Sequence, residues 1–169
     1  MTDTAGSLRN EPGKWVLAGL GVVVAIAIVV GLGRPHPHPF DGALFARQPW
    51  VIKAHMLTAV AALLIGATQM ARPKGDAAHR WLGWSWVILM AAVAGSSLFI
   101  RVINPGAFSW IHILSAYVLV MLPLAVFAAR RGKIGAHRGM MTGLFCFGLL
   151  VAGAFTFLPG RLMWKLFLG

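Results

Sequence analysis

Residues 55–80 read "HMLTAVAALLIGATQMARPKGDAAHR" and residues 112–138 read "HILSAYVLVMLPLAVFAARRGKIGAHR". Both stretches begin His-x-Leu-(Thr/Ser)-Ala and reach Ala-Arg 16–17 residues later. Both then turn through a basic, glycine-containing segment and end Ala-His-Arg. Self-similarity of this kind marks a duplicated supersecondary unit. A second apolar run follows each copy, so the unit is a helical hairpin, with repeats at 55–101 and 112–158. Two hairpins of equal topology are expected to pair about a pseudo-two-fold axis along a membrane normal.

Composition points to the membrane. The chain has 169 residues, 59% of them hydrophobic and 11% charged, and its mean hydropathy is +0.78. A soluble domain carries about 25% charged residues. Apolar stretches recur at 15–33, 50–71, 80–100, 108–129 and 139–158, each near the ~20 residues an α-helix needs to cross a ~30 Å hydrocarbon layer. The expected fold is all-α and integral to the membrane, with five transmembrane helices, the last four forming a bundle over 50–158. The remaining pieces are a tail at 1–14, an anchor helix at 15–33, a Pro/His-rich linker at 34–49 and an interfacial tail at 159–169. The first run follows Arg9 and Lys14 as a signal peptide would, but its length and the lack of a small-x-small site make it a retained anchor.

The net charge of +11 does not mark a nucleic-acid binder, because the basic residues sit at the ends of the apolar runs instead of in one patch. Arg9, Lys14, Arg72, Lys74, Arg80, Arg130, Arg131, Lys133 and Arg138 fall on one side. Arg34, Arg47, Lys53, Arg101, Arg161 and Lys165 fall on the other. The heavier side is expected to be cytoplasmic, which places the N-terminus inside and the C-terminus outside a bacterial inner membrane. No Asp or Glu lies within a span, which argues against a carboxylate proton relay. Cys146 stands alone, so there is neither a disulfide framework nor a thiolate zinc site.

On this topology the histidines fall into two layers. His55 and His112 lie about one turn inside the outer ends of their helices, and His79 and His137 lie at the inner starts of theirs. From His55 to Ala71 is about 24 Å along a helix. Two imidazoles facing each other across a bundle can hold one b-type haem iron axially, and bundle cores commonly hold cofactors between facing helices. The helix-two stripe Thr58, Ala59, Ala62, Gly66 and Gln69 is small enough for a flat porphyrin to lie against it. Arg80 and Arg138 are candidate propionate partners on the inner side, and Lys53, Arg101 and Trp110 on the outer. The other reading of the same residues is interfacial anchoring and helix–helix hydrogen bonding.

Other features carry less. His36 and His38 in "PHPHP" have a spacing that suits copper or zinc, although a polyproline-like linker explains them equally. Gln69, Ser96 and Ser97 either line a quinone pocket or bond neighbouring helices. Gly139-x-x-x-Gly143 reads as close helix packing. The "INPGAF" stretch at 103–108 reads as a turn.

Paired histidines on four consecutive helices resemble the di-haem cytochrome b561 group over residues 50–158. A closer resemblance, in His55, Gly66 and Gln69 and in the repeated His-Arg at 79–80 and 137–138, is to a family of small bacterial membrane proteins described as a domain of unknown function. The cytochrome resemblance implies His55 paired with His112, His79 paired with His137, and electron transfer from a reductant or quinol to an acceptor. The leading expectation is a membrane electron carrier with one or two haem b groups. The alternatives are a non-catalytic accessory subunit of a larger membrane complex, or a quinone- or metal-binding membrane protein. Expected partners are the bilayer and either a larger complex or a second copy.

Overall fold

Two turns organise the chain. Each places a glycine in the left-handed region that L side chains avoid, Gly75 at φ 95° and Gly132 at φ 71°, and each reverses one apolar helix into the next. A computed structural model of the chain describes residues 12–100 and 109–169. The "INPGAF" turn, Arg101 and most of the N-terminal tail lie outside the described residues.

The elements are α1 (Pro12–Leu32), α2 (Gly42–Ala46), α3 (Trp50–Ala71), α4 (Ala77–Ser97), α5 (Trp110–Arg130) and α6 (Ile134–Phe145). The last long helix continues through a π-helical segment, Cys146–Val151, into α7 (Ala152–Phe155), and α8 (Leu162–Phe167) closes the chain. No strand occurs among the described residues. Asp76 caps α4 by accepting the His79 N–H at 2.6 Å, a role suited to a short carboxylate at a helix start. This cap starts α4 three residues before the apolar run at 80–100, so His79 sits in the first helical turn. α6 begins five residues ahead of its apolar run at 139–158, straight after the Gly132 turn.

The hairpins are α3 with α4 and α5 with α6; α4 also packs on α5, and the π segment touches both α3 and α5. Ala62 of α3, Trp86 and Met90 of α4, Val118 and Leu122 of α5, and Leu144 and Phe145 of α6 meet in one core. α1 lies outside this group, against α6, the π segment and α7, with Gly19 so close to Cys146 that a Cβ there would come within 3.0 Å.

Outside the core the surface is apolar. Leu57, Val60 and Leu64 on α3 and Ile113, Val120, Leu124 and Phe127 on α5 are exposed, an inverted distribution that in a water-facing monomer would be anomalous. Three helices among the described residues are long and apolar enough to cross a membrane: Trp50–Ala71, Ile111–Arg130 and Ile134–Phe155. α4 is as long but opens with His79, Arg80, Trp81, Trp84, Ser85 and Trp86, which dilutes its apolar character. The apolar stretch of α1, Gly19–Leu32, is shorter than these.

The linker and the tail, expected as separate extended and interfacial segments, are bound to each other. The N–H groups of His36, His38 and Asp41 donate to the carbonyls of Leu168, Phe167 and Leu166 at 2.7–3.1 Å. These bonds satisfy carbonyls that the end of a helix leaves without partners. Trp164 and Leu166 are buried, and Phe40 stacks obliquely on Phe45 and Phe167.

Candidate functional site: two histidine layers

In the inner layer each imidazole reaches back to the preceding helix of its own hairpin. His79 Nδ1 lies 3.2 Å from Gln69 Oε1, while Gln69 Nε2 donates to the His79 carbonyl at 2.9 Å. That second bond identifies the amide nitrogen, so Oε1 accepts and His79 Nδ1 carries the proton. His137 Nδ1 lies 2.9 Å from the Ala125 carbonyl, which can only accept, so His137 is the same tautomer. Both rings therefore keep their lone pair on Nε2. His79, ahead of the apolar run, is held below the ordinary imidazole range by partial desolvation first and then by the electrostatic influence of His137.

The outer layer is built differently. His55 Nδ1 lies 2.9 Å from Ser96 Oγ, which spends its own proton on the Val93 carbonyl at 3.0 Å. His55 is therefore the donor and again keeps its lone pair on Nε2. His112, only 5% exposed, instead takes the Ser109 backbone N–H on Nδ1 at 3.0 Å. It stands at the third position of α5, where Glu or Gln closes a capping box. Its neutral ring accordingly carries the proton on Nε2, the opposite tautomer. Ser97 and Ser115 bond across the α4–α5 contact, so a belt of histidine and serine side chains runs from α3 through α4 to α5.

Residues 52–166 match the family described as Predicted membrane protein (DUF2306). This chain belongs to that family. The match takes in the four layer histidines and runs from the first turn of α3 into α8, leaving α1 and α2 outside it. DUF2306 membership establishes a membrane protein and carries no link to the cytochrome b561 group. No curated protein and no solved structure matches the chain.

A bis-imidazole haem asks for two Nε2 lone pairs, and metal-bound imidazoles almost always donate the other ring N–H to an oxygen or water. His79, His137 and His55 meet both conditions. His112 meets neither while it caps α5, so the outer layer does not fit a bis-histidine haem in this arrangement. The small stripe of α3, expected to face a porphyrin, faces side chains. A Cβ on Gly66 would lie 2.6 Å from the Trp86 indole nitrogen and 2.6 Å from the Phe145 ring, and Ala62 is fully buried.

The cationic candidates do not converge on one point. Lys53 donates to the Ala46 carbonyl at 3.2 Å, and Arg80 to the Gly75 carbonyl at 2.9 Å. Arg138 is exposed. His38 Nδ1 donates to the Pro39 carbonyl at 2.7 Å. Of Gly139 and Gly143, the first is buried, whereas a Cβ on the second would meet open space. Sequence reasoning missed the caps, although their signal was present: Asp76 and Ser109 each stand three residues before a layer histidine. The buried N–H of the Trp86 indole has no acceptor among the described residues.

Proposed function

We propose that this DUF2306 protein is a membrane electron carrier whose inner layer would hold one haem b between His79 and His137. The observation that carries this reading is their shared tautomer. Each ring is fixed through Nδ1–H to an oxygen on the helix before it, leaving Nε2 to ligate. A haem held there would supply one-electron redox chemistry. Around it, Gln69 and the Ala125 carbonyl set the angle of each ring and raise its basicity. Arg80 and Arg138, directly after the two ligands, supply positive charge at the same surface for anionic propionates. His55 and His112 are assigned to structure, with Ser96, Ser97 and Ser115.

The matching reach of His79 to α3 and of His137 to α5 supports the pseudo-two-fold bundle. The apolar runs support five spans in a bacterial inner membrane, and the nine-to-six distribution of basic residues supports a cytoplasmic N-terminus. The competing reading is a non-catalytic accessory subunit, favoured by the side-chain filling around Gly66 and by the capping role of His112.

The test is an absorption spectrum of detergent-purified protein expressed with ample haem, air-oxidised and then reduced with dithionite. The proposal expects a Soret band and a sharp reduced α-band at about one haem per chain. His79→Ala and His137→Ala each abolish them, and His55→Ala leaves them in place. A colourless wild-type protein, or pigment that survives both inner substitutions, would refute the assignment and favour the accessory subunit.

A further inference from the structure

Arg130 and Arg131 end α5 side by side yet lie over different rings. The Arg130 guanidinium is 5.7 Å from the Trp84 ring centroid, and that of Arg131 is 4.2 Å from that of Phe127. Beneath each runs an apolar groove. The first, about 350 Å³, lies between α4 and α5 and is walled by Trp84, Leu119, Pro123, Val126 and Phe127, with Arg130 at its end. The second, about 310 Å³, lies between α5 and α6 and is walled by Leu124, Phe127, Ala128 and Met140, with Arg131 and Lys133 at its end. Phe127 belongs to both, so it forms a ridge between two parallel channels. From Leu119 to Arg130 the first groove runs about 16 Å along α5, a length suited to a hydrocarbon chain.

The charge at this end is one-sided. The two hairpin turns carry Arg72, Lys74 and Arg80, and Arg130, Arg131, Lys133 and Arg138. Against them stands Asp76, which already faces Arg72 at 3.8 Å. Two apolar grooves on either side of Phe127, one ending at Arg130 and the other at Arg131 and Lys133, match the chemistry of two hydrocarbon tails joined to a single anionic head. We infer that α5 and its neighbours bind an anionic two-chain phospholipid, with its phosphate at Arg130, Arg131 and Lys133 and one acyl chain on each side of Phe127. Basic pockets between membrane helices hold anionic head groups in this way. The guanidiniums also lie over aromatic faces, an arrangement that favours a cation. A zwitterionic lipid would bring its own cation to the cluster and gain less. This site is independent of whether haem is bound.

The experiment is native mass spectrometry of the full chain, delipidated in detergent and titrated with phosphatidylglycerol, with phosphatidylcholine of the same acyl chains, or with glycerol phosphate. The expected result is one phosphatidylglycerol per chain, held at least tenfold more tightly than phosphatidylcholine and not displaced by equimolar glycerol phosphate. Arg130→Gln with Arg131→Gln should weaken phosphatidylglycerol about fivefold per cation removed and leave phosphatidylcholine unchanged. Val126→Trp, which occupies the first groove and keeps every charge, should also release the lipid, with helicity by circular dichroism unaltered. Equal retention of the two lipids, displacement by glycerol phosphate, or indifference to both variants would overturn the inference.

Discussion

At the scale of single residues, the four histidines separate by what holds Nδ1. An oxygen acceptor leaves Nε2 free for ligation, and a backbone N–H donor does the reverse. That distinction decides which layer suits an iron. His79 also makes the protein sensitive to pH. Its folded-state pKa lies below the ordinary imidazole value of 6.5, through partial desolvation first and then His137, with Lys74 and Arg80 acting in the same direction and Asp76 opposing. The unfolded chain therefore binds a proton at this site before the folded chain does. Stability from His79 is complete above about pH 6.5 and declines as the pH falls towards the folded value, below which the decline stops. Unfolding midpoints of the pigment-free protein in detergent should drop between pH 7.5 and 5.5, and more steeply for wild type than for His79→Gln. Equal slopes would remove His79 from the account.

At the scale of elements, the close approach of α3, α4 and α6 depends on Gly66. Trp86 and Phe145 occupy the space that any side chain there would need, and both are buried and held by the surrounding core. Gly66→Ala is expected to cost about 1–3 kcal/mol, the usual range for overpacking, read as a lowered unfolding midpoint in detergent. Trp86→Phe in the same chain should recover part of the loss by withdrawing the indole. The helices themselves were legible in the sequence because spans of about 20 apolar residues admit few alternatives. Their starts were not, since Asp76 begins α4, and Gly132 precedes α6, ahead of the apolar runs that marked them. The small stripe of α3 was legible as a close approach, but a list of small residues does not say whether a porphyrin or an indole fills the gap.

At the scale of the whole molecule, the repeated hairpins are the part the residues announced most plainly, through two copies of His-x-Leu-(Thr/Ser)-Ala and of Ala-His-Arg. The crown formed by the linker and α8 was the least legible part. Its bonds run between backbone groups far apart in the chain, and backbone pairing of that kind leaves no pattern in side chains. Deleting residues 166–169 should speed hydrogen exchange in the 34–41 peptide while leaving α3, α4 and α5 protected. Loss of protection throughout would show that the crown supports the bundle as well.

The position of α1 bears on the order in which the protein is built. Its packing partners are α6, the π segment and α7, and the linker that follows it bonds to residues 166–168. At ribosomal rates of about 5–20 residues per second, the first helix is made on the order of ten seconds before the surfaces that receive it. During synthesis it waits without them, and its packing can be completed only after α6 and the segments beyond it have been made.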